Sequence, residues 1–402
     1  MPGLRLPVLL LVLAAAPAAG AAGAFDTGRY PNLFHELLGK TEAETDAKID
    51  AAWRQLFYGD DATQRVYYPV GADLGYVTDV ANHDVRTEGM SYGLMIAVQL
   101  DHQAEFNRLW KWAKTYMSHA SGPRRGYFAW QCATDGRQLD PGSASDGEEW
   151  FAMALLFAAH RWGNGPGIFN YEAEAQALLN EMLHHGDAGG AITSLFDRAH
   201  RQVVFAPTAG ASTFTDPSYQ LPAFYELWAR WAEADRPFWS AAAGASRDLF
   251  RRAANPRTGL MPDLCGFDGA PHPWHGREDF RFDAWRTLAN VGLDHAWFAA
   301  DPWEVQQSNR VLAFLHSQGA NCPNQFTLEG RPLSADSSPG LFAMAAVAGL
   351  AADPAAARPF VQRLWDQPIP SGQWRYYDGL LYFLGLLEAG GRFRIWPPMT
   401  QP

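Results

Sequence analysis

Beyond an apolar start, the chain alternates between two kinds of helical stretch. Apolar residues recur at three- and four-residue spacing over residues 41–57, 88–100, 105–117, 148–162, 172–184 and 220–234. The spacing resumes over 237–254, 283–299, 302–317, 340–351, 355–365 and 377–389. One kind of stretch is apolar on nearly every side, as in 89–98, 151–159 and 341–352, and such a helix has to be buried all round. The other is amphipathic with one charged face, as in 105–114 and 247–252. Twelve helices of two alternating kinds predict an all-α fold, an (α/α)6 barrel of six inner and six outer helices. It forms a single domain over residues 25–402. No fixed period supports a solenoid, and no convincing alternating run predicts a strand. Helix starts are signalled by capping-box spacing from Thr41 to Glu44 and by Pro302 and Pro339 at first turns.

On this plan the acidic residues fall at inner-helix starts. Glu88 opens the first inner helix, Asp146 stands just before the second and Asp216 before the third. Asp283 opens the fourth, and Asp378 lies at the start of the sixth. In an alternating barrel these starts emerge at one end, so carboxylates far apart in sequence converge on one mouth. Any one of them alone reads as a helix cap that offsets the macrodipole. Their company of aromatic, Arg and small residues favours a site. Glycosidic cleavage needs one carboxyl that donates a proton and another that activates water or attacks. A separation of about 6.5–9.5 Å predicts inversion and about 5–5.5 Å retention. Burial beside Met90 and Tyr92 is expected to raise the pKa of Glu88. Spacing does not choose which carboxylates act.

Composition narrows the partners. The 16 Trp, 14 Tyr and 24 Phe are mostly expected in the core, and the excess suits a cleft where sugar rings stack. A formal net charge of −11 argues against nucleic acid and anionic membranes. Residues 1–24 read as a signal peptide: a basic start, an apolar run over 6–16, and small residues up to a cleavage site before Phe25. The run is too short to span a bilayer, so export to the periplasm or exterior is expected, without stable membrane insertion. Cys132, Cys265 and Cys322 are too few for a disulfide scaffold, although Cys265 and Cys322 are candidates for one pair. His184-His185 and His272-Pro-Trp-His275 lack the supporting ligands of a metal site, so no metal and no cofactor are expected. The chain is expected to act as a monomer.

Several segments resemble glycoside hydrolase family 8. They are Asp84-Val-Arg-Thr-Glu-Gly-Met-Ser-Tyr-Gly93, Gly126-Tyr-Phe-Ala-Trp130, Asp146-Gly-Glu-Glu149, Asp216-Pro-Ser-Tyr219, Asn290-Val-Gly-Leu-Asp294 and Arg375-Tyr-Tyr-Asp378. Within that family the sequence is most similar to the reducing-end xylose-releasing exo-oligoxylanases. The resemblance implies an inverting enzyme that acts on β-1,4-xylo-oligosaccharides. Position by position it makes Glu88 the general acid and Asp283 the general base. It makes Asp146 the acid that holds the distorted sugar, Trp130 a glycone-side platform and Tyr219 the hydroxyl that orients water. Arg286, one helical turn beyond Asp283, is placed to steady that carboxylate. For Arg286 and Tyr377, substrate binding and a purely structural role both stand open. Glu148 and Glu149 read as first-turn charges.

One stretch departs from the exo-acting pattern. Those relatives close the leaving-group side with a loop carrying Leu-His-Pro, and here Ser337 and Ser338 precede Pro339. Two small hydroxyls leave room for an endo-acting xylanase, β-glucanase or chitosanase, unless Trp274-His275 or Phe326 supplies the wall. A non-catalytic sugar-binding protein on the same scaffold is the reading from another class.

Overall fold

The computed structural model describes residues 22–398; the expected leader up to residue 21 lies outside the described residues. Two short helices, α1 (Ala24–Thr27) and α2 (Leu33–Leu38), lead into α3 (Glu42–Tyr58). Then follow α4 (Thr87–Gln99), α5 (Gln103–Trp112), α6 (Ser145–Trp162), α7 (Tyr171–His184), α8 (Pro222–Trp231) and α9 (Arg236–Ala253). The remainder is α10 (Arg286–Phe298), α11 (Trp303–Ser317), α12 (Pro339–Ala348), α13 (Pro354–Asp366) and α14 (Arg375–Ala389). Each of the twelve expected helical segments thus corresponds to one of α3–α14.

The two rings follow from which helices are buried on most sides, α8 alone among the inner ones carrying an exposed Arg, Arg230, near its end. The inner ring is α4, α6, α8, α10, α12 and α14. Neighbours along it pack directly, and α14 closes onto α4. Between α6 and α8 the joint is made by Trp150 against Phe224, ring centroids 5.1 Å apart. Each outer helix packs on the inner helix before it in the chain, α5 on α4 through α13 on α12, and α3 covers α14. The capping box at Thr41 is formed, with the hydroxyl accepting from the Glu44 N–H and the Glu44 carboxylate accepting in return.

Several details depart from the expected plan. Short antiparallel strands occur in the loops: β1 (Tyr67–Val70) with β2 (Leu74–Val77), β3 (Asp84–Arg86) with β4 (Gln131–Ala133) and β5 (Gln138–Asp140), and β6 (Phe196–Asp197) with β7 (Gln202–Val203). Strands of two to four residues are too short to carry an alternating pattern. The third and fourth inner helices start late, behind 3-10 turns at Pro217–Tyr219 and Asp283–Trp285. The stretch after α5 is a π turn, Ala113–Met117, whose Met117 carbonyl accepts from the Ala129 N–H at 2.8 Å. Cys265 and Cys322 do not pair: all three cysteines are buried and free. Among the described residues, no helix is long and apolar enough to cross a membrane.

Candidate active site

The inner-helix starts converge as the alternation requires. Glu88 is the second residue of α4, Asp146 the second of α6, and Tyr376 and Tyr377 the second and third of α14. Tyr219 and Asp283 stand in the two 3-10 turns. Around them opens a cavity of about 1380 Å³, larger than the roughly 300–1,000 Å³ usual for small-molecule sites and suited to a chain of sugars.

At the centre lies Arg286, the first residue of α10 and almost wholly buried. Its Nη1 donates to Glu88 Oε2 at 3.2 Å, to Asp146 Oδ2 at 3.0 Å and to the Tyr92 hydroxyl at 2.7 Å. Its Nη2 donates to the Ser218 hydroxyl at 2.9 Å and lies 3.3 Å from Asp283 Oδ1. Glu88 and Asp283 thus sit on opposite nitrogens of one guanidinium. Their nearest oxygens are no farther apart than the upper end of the roughly 6.5–9.5 Å of an inverting pair.

The two carboxyls are driven in opposite directions. Burial pushes Glu88 up to about 7; Arg286 opposes it, and Asp146 and Asp283 add to it. Two of the neighbours on α4 are themselves engaged. The Met90 sulfur accepts from the Val77 N–H, and the Tyr92 hydroxyl is taken by Arg286. Burial also pushes Asp283 up, but the guanidiniums of Arg286 and Arg277 together outweigh it and hold this carboxyl below its ordinary range. Near neutral pH one group therefore keeps a proton to give while the other is ionised to accept one.

Arg277 escaped the sequence reading. It pairs with Asp283 Oδ2 and lies 3.4 Å from Asp263 and 3.7 Å from Asp216. Asp216 is therefore part of a buried cluster with Arg277 and Asp283, where burial pushes its carboxyl well above the ordinary range, as well as a cap that accepts from the Ser218 N–H. Asp378 does act as a cap, accepting from the Gly340 N–H at the start of α12. An Arg in an irregular loop carries no periodic signal, and only the fold brings it to Asp283.

Tyr376 was also missed, although it lies in a quoted motif beside Tyr377. Its hydroxyl donates to Glu88 Oε1 at 3.0 Å. The approach depends on Gly89, where a Cβ would lie 2.5 Å from the Tyr376 ring. Tyr377 lines the cavity, and its hydroxyl donates to the Phe282 carbonyl at 2.8 Å. Because the Tyr376 bond favours the ionised form of Glu88, Tyr376→Phe is expected to move the alkaline limb of kcat/KM upward by about one pH unit. A pH profile of the variant checks this.

Aromatic rings line the cavity. Trp130 lies just before β4, with its backbone N–H donating to the Gly142 carbonyl at 2.7 Å and its backbone carbonyl accepting from the Thr87 N–H. Trp274, Phe282 and Trp374 are exposed on the cavity, Trp374 by 65%. Phe326 is fully buried and supplies no wall. Glu148 and Glu149 are not solvated first-turn charges, because the start of α6 is enclosed and both carboxyls are buried.

Comparison with known proteins agrees with this geometry. Residues 72–391 match the Glycosyl hydrolases family 8 profile. The chain is 48% identical over 380 residues to the reducing-end xylose-releasing exo-oligoxylanase Rex8A of Paenibacillus barcinonensis, covering 93% of this chain and 98% of that one. The structure of Rex8A complexed with xylose superposes with a TM-score of 0.90 at 47% identity, covering 93% of this chain and all of the other. A catalytic mutant of a Teredinibacter turnerae family 8 xylanase, complexed with xylohexaose, gives a TM-score of 0.90 at 45% identity over 94% of this chain and all of that one. With a barrel of this order and its carboxyls gathered at one mouth, the chain belongs to glycosyl hydrolase family 8.

Proposed function

We propose that this chain is an inverting glycoside hydrolase that acts on β-1,4-xylo-oligosaccharides and releases xylose from the reducing end. Glu88 serves as general acid and Asp283 as general base. The shared Arg286 carries this reading, since it seats the two carboxyls on one guanidinium while their surroundings set opposite protonation states. Glu88 gives its proton to the glycosidic oxygen as the bond breaks. Asp283 takes a proton from the water that attacks the opposite face, with the Tyr219 hydroxyl orienting that water. Asp146, fixed by Arg286 and the Gly147 N–H, holds the distorted sugar, and Trp130 and Tyr377 flank it along the cavity. The name of the Paenibacillus relative supports the reducing-end mode. Xylotriose is expected to be cut and its borohydride-reduced form spared. Equal cutting of both would sink the reducing-end reading.

A specific observation favours a second reading, endo action on xylan. The Ser337 hydroxyl accepts from Arg363 at 3.2 Å and the Ser338 hydroxyl from Asn324 at 2.8 Å, so both short side chains are held by neighbours at the cavity edge. Mid-length products from polymeric xylan would establish this mode. Restoring bulk with Ser337→Leu and Ser338→His is then expected to shift the products toward xylose.

We also infer export through an N-terminal leader. Gly23 and Ala24 belong to the fold: the Gly23 carbonyl accepts from the Asp26 and Thr27 N–H groups, and Ala24 is buried. N-terminal sequencing of the exported protein locates the cut.

A further inference from the structure

The first turn of α6 carries two buried carboxyls that the reaction scheme does not use. Glu148 Oε1 accepts from the Phe128 N–H at 3.0 Å, which ties down the loop segment leading to Trp130. Glu149 has a different partner, the Tyr225 hydroxyl of α8, which is in hydrogen-bond contact with Glu149 Oε1. That hydroxyl also lies 3.3 Å from the Tyr219 carbonyl oxygen. A phenol has one hydrogen, yet both neighbours are acceptors if Glu149 is ionised. Both contacts become hydrogen bonds only when Glu149 carries a proton and donates it to the Tyr225 oxygen. The single phenol hydrogen then reaches the Tyr219 carbonyl.

The surroundings agree. Glu149 Oε2 is buried without a partner, a small cost for a neutral acid and a large one for a carboxylate. Burial raises the pKa of this group well above its usual range. The charged groups that face it are Asp146 and Glu148 on its own helix and Arg286 from α10, two of them acidic. On the far side of the same segment, Asn290 Nδ2 donates to the carbonyls of Ser218 at 2.8 Å and Gln220 at 3.1 Å. Three successive carbonyls around Tyr219 are therefore fixed by side chains, and Glu149 secures the middle one through Tyr225.

We propose that Glu149 is a positioning residue: as a neutral acid it orients Tyr225, which locks the Tyr219 backbone and so sets the Tyr219 hydroxyl against the attacking water. This rests on the reading of Tyr219 as the side chain that orients the water. A protonated carboxyl acting only as a donor is mimicked by an amide, so the conservative variant is diagnostic.

The test compares kcat, KM and Tm for Glu149→Gln, Glu149→Leu, Tyr225→Phe and Tyr219→Phe on one xylo-oligosaccharide. Glu149→Gln is expected to keep kcat within about twofold. Tyr225→Phe and Glu149→Leu are expected to lose about tenfold in kcat with KM little changed. If Glu149→Leu does not fold, the Gln and Phe variants decide alone. A Gln variant as slow as Tyr225→Phe, or a Tyr225→Phe with normal kcat and only a lowered Tm, overturns the proposal. Normal kcat in Tyr219→Phe would instead overturn the role of Tyr219, which separates the two failures.

Discussion

Glu88→Gln is expected to lower kcat by about 10²–10⁴-fold, the range that a positioned general acid contributes, while leaving the fold intact. The amide keeps the volume of the side chain; its one oxygen can accept from Arg286 while its NH2 donates to the Tyr376 hydroxyl, so the loss reports the missing proton. Wild-type kcat/KM is expected to fall as pH rises through about 7, where burial sets the Glu88 carboxyl, and this limb should be absent from the residual activity of the variant. Asp283→Asn is expected to lose a similar factor, because an amide has no basic oxygen to take the water's proton. The wild-type acid limb lies below the ordinary carboxylate range, since Arg286 and Arg277 keep Asp283 ionised against its burial. Steady-state rates with matched circular dichroism spectra check all of this. A variant with a near-normal rate would remove that residue from its role.

Arg286→Met should have the largest effect on stability. It leaves Glu88 and Asp146 buried without the guanidinium they share, and leaves Asp283 with Arg277 alone. Removing one partner of a buried ionic group costs about 3–5 kcal/mol because the remaining charge is uncompensated. The sign of the pH dependence follows from the same interaction. Arg286 lowers the pKa of all three carboxyls, so its stabilisation is present where they ionise and fades as pH falls and they protonate. Urea denaturation near pH 7.5 and near pH 5 should therefore show a large deficit at the first and a smaller one at the second. An equal deficit at both would mean that the loss is one of packing.

The barrel was legible because its inner helices cannot be mistaken for surface helices. A stretch such as Gly89 to Val98, apolar on every side, has only one place to go, and its strict alternation with amphipathic partners dictates two rings. The convergence of Glu88, Asp146 and Asp283 followed from that topology, and the roles proposed for them rest on the motifs around them. Features created by the third dimension were not legible. Arg277 reaches Asp283 from a loop without periodicity. Tyr376 reaches Glu88 only because α14 closes onto α4 beside Gly89. The short strands were hidden by their length, and Glu148 and Glu149 by the general preference of acids for exposed first turns. That preference gave way here because the mouth of an inner ring is enclosed.

Central to this account is that Glu88 and Asp283 act from opposite faces of the sugar through a single displacement. Proton NMR of a xylo-oligosaccharide digest, recorded within the first turnovers and before mutarotation, tests it most directly. Single displacement at a β-linkage predicts that the newly formed reducing end appears first as the α-anomer and then relaxes toward the β-anomer. First appearance of the β-anomer would mean retention through a covalent intermediate and would contradict the assignment of Asp283 as a base acting on water.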